Sequence, residues 1–231
     1  MAKKTTGKTA SKTITGKKSM DKTAIMAAYI NYVLNHDHIP KSVYKFCIEE
    51  NIEEETYYEL FGSLEAIRKA IWNAFHENTM DVLHKNKAYA SYSNRDKMLT
   101  YYYTFFEVLK LNRSYVLFTL NEQGTQHVLK SLEQLKGIRK HIKAFASELI
   151  DENNVNKRIR ITKHNTSIFS EGAWVQFLFI LKYWMDDESA GFEKTDVIIE
   201  KSVNTVFDVF ETTPLESVID LGKFLWKEKM I

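Results

Sequence analysis

The side chains able to do chemistry are dispersed along this 231-residue chain, which holds seven histidines and one cysteine. His36-Asp37-His38 places two imidazoles around a carboxylate, the beginning of a metal-ligand set, but no third cluster accompanies it in the sequence. Cys47 falls on the apolar side of a helical pattern, where a thiol acts as a small buried hydrophobe. A single cysteine leaves no intramolecular disulfide framework and fits a reducing cytoplasm. Asp186-Asp187 sit at a helix end without a partner base. There is no G-x-S-x-G, no Walker loop and no His-Glu-x-x-His. The expectation is a protein that is not an enzyme and carries neither metal nor cofactor. What remains is the chemistry of binding, by aromatic rings and by charge.

The elements that position those groups read as helices throughout. Two prolines, eight glycines and few alternating Val/Ile/Thr runs predict an all-α chain, and 44% apolar with 13% aromatic residues suffices for a sizeable core. The most organised stretch runs from Ser42 to Ile71. Val43, Phe46 and Cys47 share a face, Asn51 suits a left-handed turn residue, and Ile52 plugs that turn. Residues 53–60 form a second helix with Tyr57 and Phe61 turned inward; Gly62-Ser63 breaks it, and Ser63 caps the next. By spacing and turn chemistry this is a helix-turn-helix.

The run from Asn51 to Ile67 resembles the N-terminal domain of the tetracycline-repressor (TetR) family. It aligns without a gap to A-G-V-S-x-G-[TS]-[LIF]-Y-x-[HY]-F-x-[SN]-K-E-x-L. Thr56, Tyr58, Phe61, Ser63, Glu65 and Ala66 match, and Ile52 and Ile67 match in character. The resemblance implies a DNA-reading head, a C-terminal ligand domain and a homodimer. The departures fall on the contact positions. Glu53, Glu54 and Glu55 stand where the family has serine, lysine and glycine; Leu60 replaces its histidine or tyrosine, and Leu64 its phosphate-contacting lysine. From Lys41 to Phe61, two lysines oppose six glutamates, a net charge of −4. A groove-reading helix should meet phosphates with positive charge or bare amides. Acidic residues in a first turn also simply favour the helix dipole. DNA contacts must therefore come from Lys41, Lys45, Thr56, Tyr58 and the N-terminal arm.

That arm, residues 1–22, has seven lysines against one aspartate and no run of core-formers, the composition of a disordered basic tail with no signal peptide. A first helix follows over 23–35, on Ile25, Ala28, Tyr29, Tyr32 and Val33. A long helix spans 63–86, then a polar loop over 89–94, then a highly aromatic helix from Arg95. Tyr102, Phe105, Phe106, Leu109 and Phe118, with Trp174, Phe177 and Leu178 further on, are the candidate walls of an apolar ligand pocket; the commoner role of such an aromatic set is ordinary core. In the helix over 126–152, Lys136, Arg139, Lys140 and Lys143 recur as a basic stripe, either a solvated face or a seat for an anionic membrane or an acidic partner. Residues 169–185 are apolar nearly all round yet too short to span a bilayer, so core or a subunit interface must bury them. Two last helices, 196–210 and 214–230, correspond to the family's dimer interface, which makes a homodimer the implied state.

A second resemblance covers Trp184, Asp187, Ser189, Phe192 and Thr195, which match a W-x-x-D-x-S-x-x-F-x-x-T pattern of ubiquinone-biosynthesis lipid-binding proteins sharing the TetR fold. It implies an isoprenoid lipid and membrane contact through a terminal amphipathic helix; a capping aspartate with core aromatics accounts for the same residues. The expected organisation is an arm over 1–22, a helix-turn-helix domain over 23–62 and a ligand-binding and dimerisation domain over 63–231. The expected function is a cytoplasmic transcriptional regulator whose DNA binding answers to a hydrophobic small molecule or lipid. The alternative is a TetR-fold lipid carrier that has lost sequence-specific DNA binding and works at a membrane surface.

Overall fold

Helix caps divide the chain at the places where serine, aspartate and asparagine occur. The computed structural model describes residues 20–120, 133–155 and 166–212. The first helix, α1 (Lys22–His36), starts where Asp21 accepts a 2.8 Å hydrogen bond from the Ala24 amide, and stops at Asp37 in the left-handed conformation (φ 53). Helix α2 (Val43–Glu49) is capped by Ser42, which accepts from the Lys45 amide. Asn51 then takes φ 54, and the Ile52 amide closes the turn on the Cys47 carbonyl at 2.8 Å. Helix α3 (Glu54–Leu60) begins one residue later than its pattern suggests, because Glu53 has extended backbone (φ −71, ψ 130) and is the N-cap. Ser63 caps the long α4 (Leu64–Lys85) through the Ala66 amide, and the Tyr57 hydroxyl donates to the Ser63 carbonyl at 3.0 Å, tying α3 to the start of α4.

Phe46 is the hub of this head. Its ring meets Tyr29 and Tyr32 edge-on, each at 5.7 Å, and Tyr57 at 6.0 Å, so one buried phenyl joins α1, α2 and α3. The head rests on the rest of the molecule where α1 packs on α6 (Arg113–Leu120), with Tyr29 and Tyr115 rings 6.5 Å apart.

Beyond α4, the expected polar loop holds a short 3-10 turn (Tyr89–Ser91) with Tyr89 buried. Then come α5 (Asn94–Leu111), capped by Ser93, and α6. The helix expected over 126–152 is described from residue 133, where a turn at Leu135 precedes α7 (Lys136–Val155). Helix α8 (Thr166–Asp186) and α9 (Glu193–Thr212) complete the described body. Helix α7 packs on α8, α4 on α5 and α7, and α9 on both α5 and α8. The described residues are thus all-α. Residues 1–19, the region around Gly124 and the expected helix over 214–230 lie outside the described residues.

The Trp184 pattern resolves into a corner between α8 and α9. Both Asp187 carboxylate oxygens are used: one accepts from the Ser189 amide and hydroxyl (2.9 and 2.7 Å), the other from the Thr195 amide and hydroxyl (2.9 and 2.6 Å). Burial alone would raise this carboxyl, but those four donors overcome it and hold it down at about 2. They pin a turn in which Gly191 (φ 65) and Phe192 (φ 67) both lie in the left-handed region, a strained position for phenylalanine. The Arg113 guanidinium fills the space between, 4.5 Å from the Trp184 ring and 4.3 Å from the Phe192 ring, and donates to the carbonyls of Trp184, Met185 and Asp187. Each conspicuous residue of the pattern therefore has a structural partner.

Candidate functional site

Two surfaces and one interior path bear on function. On the head, Lys41, Lys45 and Tyr58 are exposed and Thr56 is half-buried. Around them stand Glu49, Glu53, Glu55 and Glu59, also exposed, so the four expected DNA contacts sit on a face of mixed and mainly acidic charge. His36 and His38 are used locally. His36 Nδ1 donates to the Tyr32 carbonyl at 2.8 Å, its ring stacks on Tyr32 at 4.2 Å, and its Nε2 lies 3.7 Å from Glu49. Among the described residues no group of three or more Cys, His, Asp or Glu could hold a metal ion.

In the body, the expected ligand residues come together as a closed layer. Tyr102, Phe105, Phe106, Leu109, Trp174 and Phe177 are buried, while Phe118 and Leu178 are half-buried against the core. Phe177 joins α8 to α5, with Phe105 at 5.5 Å, Phe106 at 6.1 Å and Trp174 at 5.5 Å. Tyr102 crosses the same interface to donate to the Ala173 carbonyl at 2.9 Å. Open space lies at one end of this layer. A cleft of about 290 Å³ is lined by Met80 and His84 of α4, Tyr89 and Ala90, Lys97 of α5, and Phe145, Glu148 and Leu149 of α7. Phe145 stacks on Tyr101 at 4.7 Å, and Tyr101 on Phe105 at 5.8 Å. A continuous line of rings therefore runs from the cleft through Phe145, Tyr101, Phe105 and Phe177 to Trp174.

That line touches α4 through His76. Its Nδ1 shares a 2.9 Å hydrogen bond with the Tyr101 hydroxyl, and its ring stacks on His141 of α7 at 4.5 Å. Burial, with a smaller push from His141, lowers the His76 imidazole to about 4, so it is neutral at pH 7. His76, Tyr101, His141 and Phe145 were not singled out as a group by the sequence. Pairs 25 and 65 residues apart leave no local spacing to read, and the available signal was a histidine one turn from Trp72 and Met80 on the same helix.

The basic stripe on α7 is largely answered from within the molecule. Lys136 meets Glu133 at 2.5 Å; Arg139 (3.0 Å) and Lys143 both reach Glu171 of α8. Hydrogen bonds from Lys136 and Lys69 lower the Glu133 carboxyl, and those from Lys143 and Arg139 lower Glu171. Helix α8, expected to be buried by the core or by a subunit interface, leaves one apolar strip uncovered within the chain: Val175 is 63% and Phe179 54% exposed, one turn apart. On the neighbouring α9, Val197 and Val209 are exposed as well. No helix among the described residues is long and apolar enough to cross a membrane.

The chain's relatives fit this geometry. The family model of the tetracyclin repressor-like C-terminal domain matches residues 97–225, more than half of the chain, and the chain belongs to that family. The family is one of ligand-responsive transcriptional regulators. A solved structure of the fatty acid degradation regulator FadR from Bacillus halodurans shares the fold, with a TM-score of 0.53 at 14% identity, covering 83% of this chain and 96% of that one. No curated protein matches the sequence.

Proposed function

We propose that this chain is a homodimeric transcriptional regulator whose DNA binding is controlled by an apolar small molecule taken up by its C-terminal domain. The observation that carries this reading is the mechanical path from cleft to head. An apolar group entering the cleft meets Phe145, which is stacked on Tyr101. Tyr101 holds His76 of α4, and the start of α4 is bonded to α3 through Tyr57 and Ser63. Parting the rings around Phe177 to admit a longer ligand would move the same tyrosine. Such a ligand selects a packing of α4 in which the two heads stand at another spacing, a population shift. The pocket then comprises Tyr102, Phe105, Phe106, Leu109, Phe118, Trp174, Phe177 and Leu178, with the cleft as its entry. The FadR likeness is one of fold, and because that protein regulates fatty acid degradation, fatty-acid-like ligands are the first to try.

Dimerisation uses the uncovered strip of α8 and α9. Val175, Phe179, Val197 and Val209 together present the kind of apolar surface that a two-fold related copy buries. The contacts to DNA are Lys41, Lys45, Thr56 and Tyr58, helped by the N-terminal lysines.

The glutamates of α3 support a second reading, a TetR-fold lipid-binding protein that no longer reads DNA. Selection from a random-sequence duplex pool separates the two. The regulator enriches a two-fold symmetric site, and the enrichment falls when Tyr58→Ala or Lys45→Ala is used; a carrier enriches nothing.

A further inference from the structure

The exposed sides of α2 and α3 carry large apolar residues that no described element covers. Tyr44 is 59%, Ile48 60% and Tyr58 52% exposed. Tyr44 and Ile48 lie one turn apart on α2, and Tyr58 stands in the middle of α3. Three such residues on so small a domain, rimmed by Glu49, Glu53, Glu55 and Glu59, form an amphipathic acidic face. With Lys41 and Lys45 included the face stays net acidic, and a basic, sparsely apolar segment complements it.

The chain itself supplies such a segment next door. Met20 is partly buried against the head core, and the Lys22 ammonium lies 5.9 Å from the Phe61 ring, at the residue that ends α3. Residues 1–19 continue from that point with six lysines and no acidic residue. Nineteen residues reach roughly 60 Å when extended, whereas the seven residues of α3 span only about 10 Å. Tethering holds those lysines at roughly millimolar effective concentration over the acidic face. We propose that residues 1–19 dock on the exposed face of α2 and α3 when no nucleic acid is bound, covering Tyr44, Ile48 and Tyr58 and neutralising the surrounding glutamates. DNA phosphates then compete with the glutamates for the same lysines, so a duplex that engages the arm releases it from the head. This inference rests on the head's charge and geometry alone, and holds whether or not the protein reads a specific sequence.

The test uses the full chain, isotope-labelled, with a nitroxide on Ser11→Cys. Cys47 is buried and burial raises its thiol to about 11, so the label goes to position 11. In low salt, the amides of residues 44–48 and 55–60 should lose more than half their intensity relative to the reduced spin label. The loss should disappear in 0.5 M NaCl, in the Glu49→Gln/Glu55→Gln/Glu59→Gln variant, and on adding a non-specific duplex. Because those glutamates are exposed, circular dichroism of the variant should match that of the parent. Equal broadening over all surfaces, or broadening of this face that survives both high salt and the glutamine variant, overturns the proposal. A further mixture pairs isotope-labelled, spin-free chain with unlabelled, spin-labelled chain. Broadening of comparable size there would place another copy's arm on the face and refute docking in cis.

Discussion

Lowering the pH from 7.5 to 4.5 should weaken this fold through His76 specifically. The imidazole is buried, hydrogen-bonded to Tyr101 and stacked on His141, and its value falls from 6.5 to about 4. A histidine lowered on folding stabilises the protein fully above the unfolded value of 6.5. That stability is lost as pH falls from 6.5 toward 4, because the unfolded chain then binds a proton that the folded one refuses. At about 1.4 kcal/mol per pH unit, the full window amounts to about 3 kcal/mol. The assay is urea unfolding followed by far-UV circular dichroism at half-unit pH steps, comparing the wild type with His76→Gln. Glutamine stays neutral and can still bond the Tyr101 hydroxyl. The variant's curve should lack most of the slope between pH 6.5 and 4.5, and subtracting it removes the contribution of carboxylates common to both. Equal slopes in the two proteins, or a His76 resonance titrating near 6.5, would refute the reasoning.

Three further outcomes follow from the packing. Phe46→Ala should cost about 3–5 kcal/mol in urea unfolding, since that ring joins all three helices of the head; Tyr44→Ala, on an exposed side chain, should change stability by less than about 0.5 kcal/mol. Asp187→Ala should destabilise by about 2 kcal/mol, because four donors lose their acceptor and the Gly191-Phe192 turn loses its tie; a melting curve of variant against parent measures it. Phe179→Asp places a charge in the exposed strip of α8, and light scattering should report a monomer at concentrations where the parent is a dimer.

Local chemistry made the head legible in the sequence. The left-handed Asn51, the Ser63 cap and the inward Tyr57 and Phe61 all follow from residue type and near neighbours, and the structure has them in those roles. The body was legible in outline only. An all-round apolar run such as 169–185 does not reveal that Val175 and Phe179 face outward, because exposure depends on which helices come to pack there. The α7 stripe reads as basic, yet it is answered by Glu171, twenty-eight residues past Lys143, a partner that only the α7–α8 packing brings near. The Trp184–Thr195 pattern reads equally as a lipid-protein motif or as a capping aspartate with core aromatics, and nothing in its spacing announces Arg113, which reaches its rings from α6. For His76 the deciding groups come from α5 and α7, and no spacing on α4 announces them.

The central claim, that this head reads DNA in spite of its glutamates, is tested most directly by fluorescence anisotropy on a labelled duplex from upstream of the protein's own coding sequence. A scrambled duplex of equal length and a salt series run alongside, for the full chain and for a chain lacking residues 1–19. The account predicts that both proteins prefer the upstream duplex, with the shorter one binding more weakly and with a shallower salt dependence. Binding that ignores sequence and vanishes with the arm would contradict it.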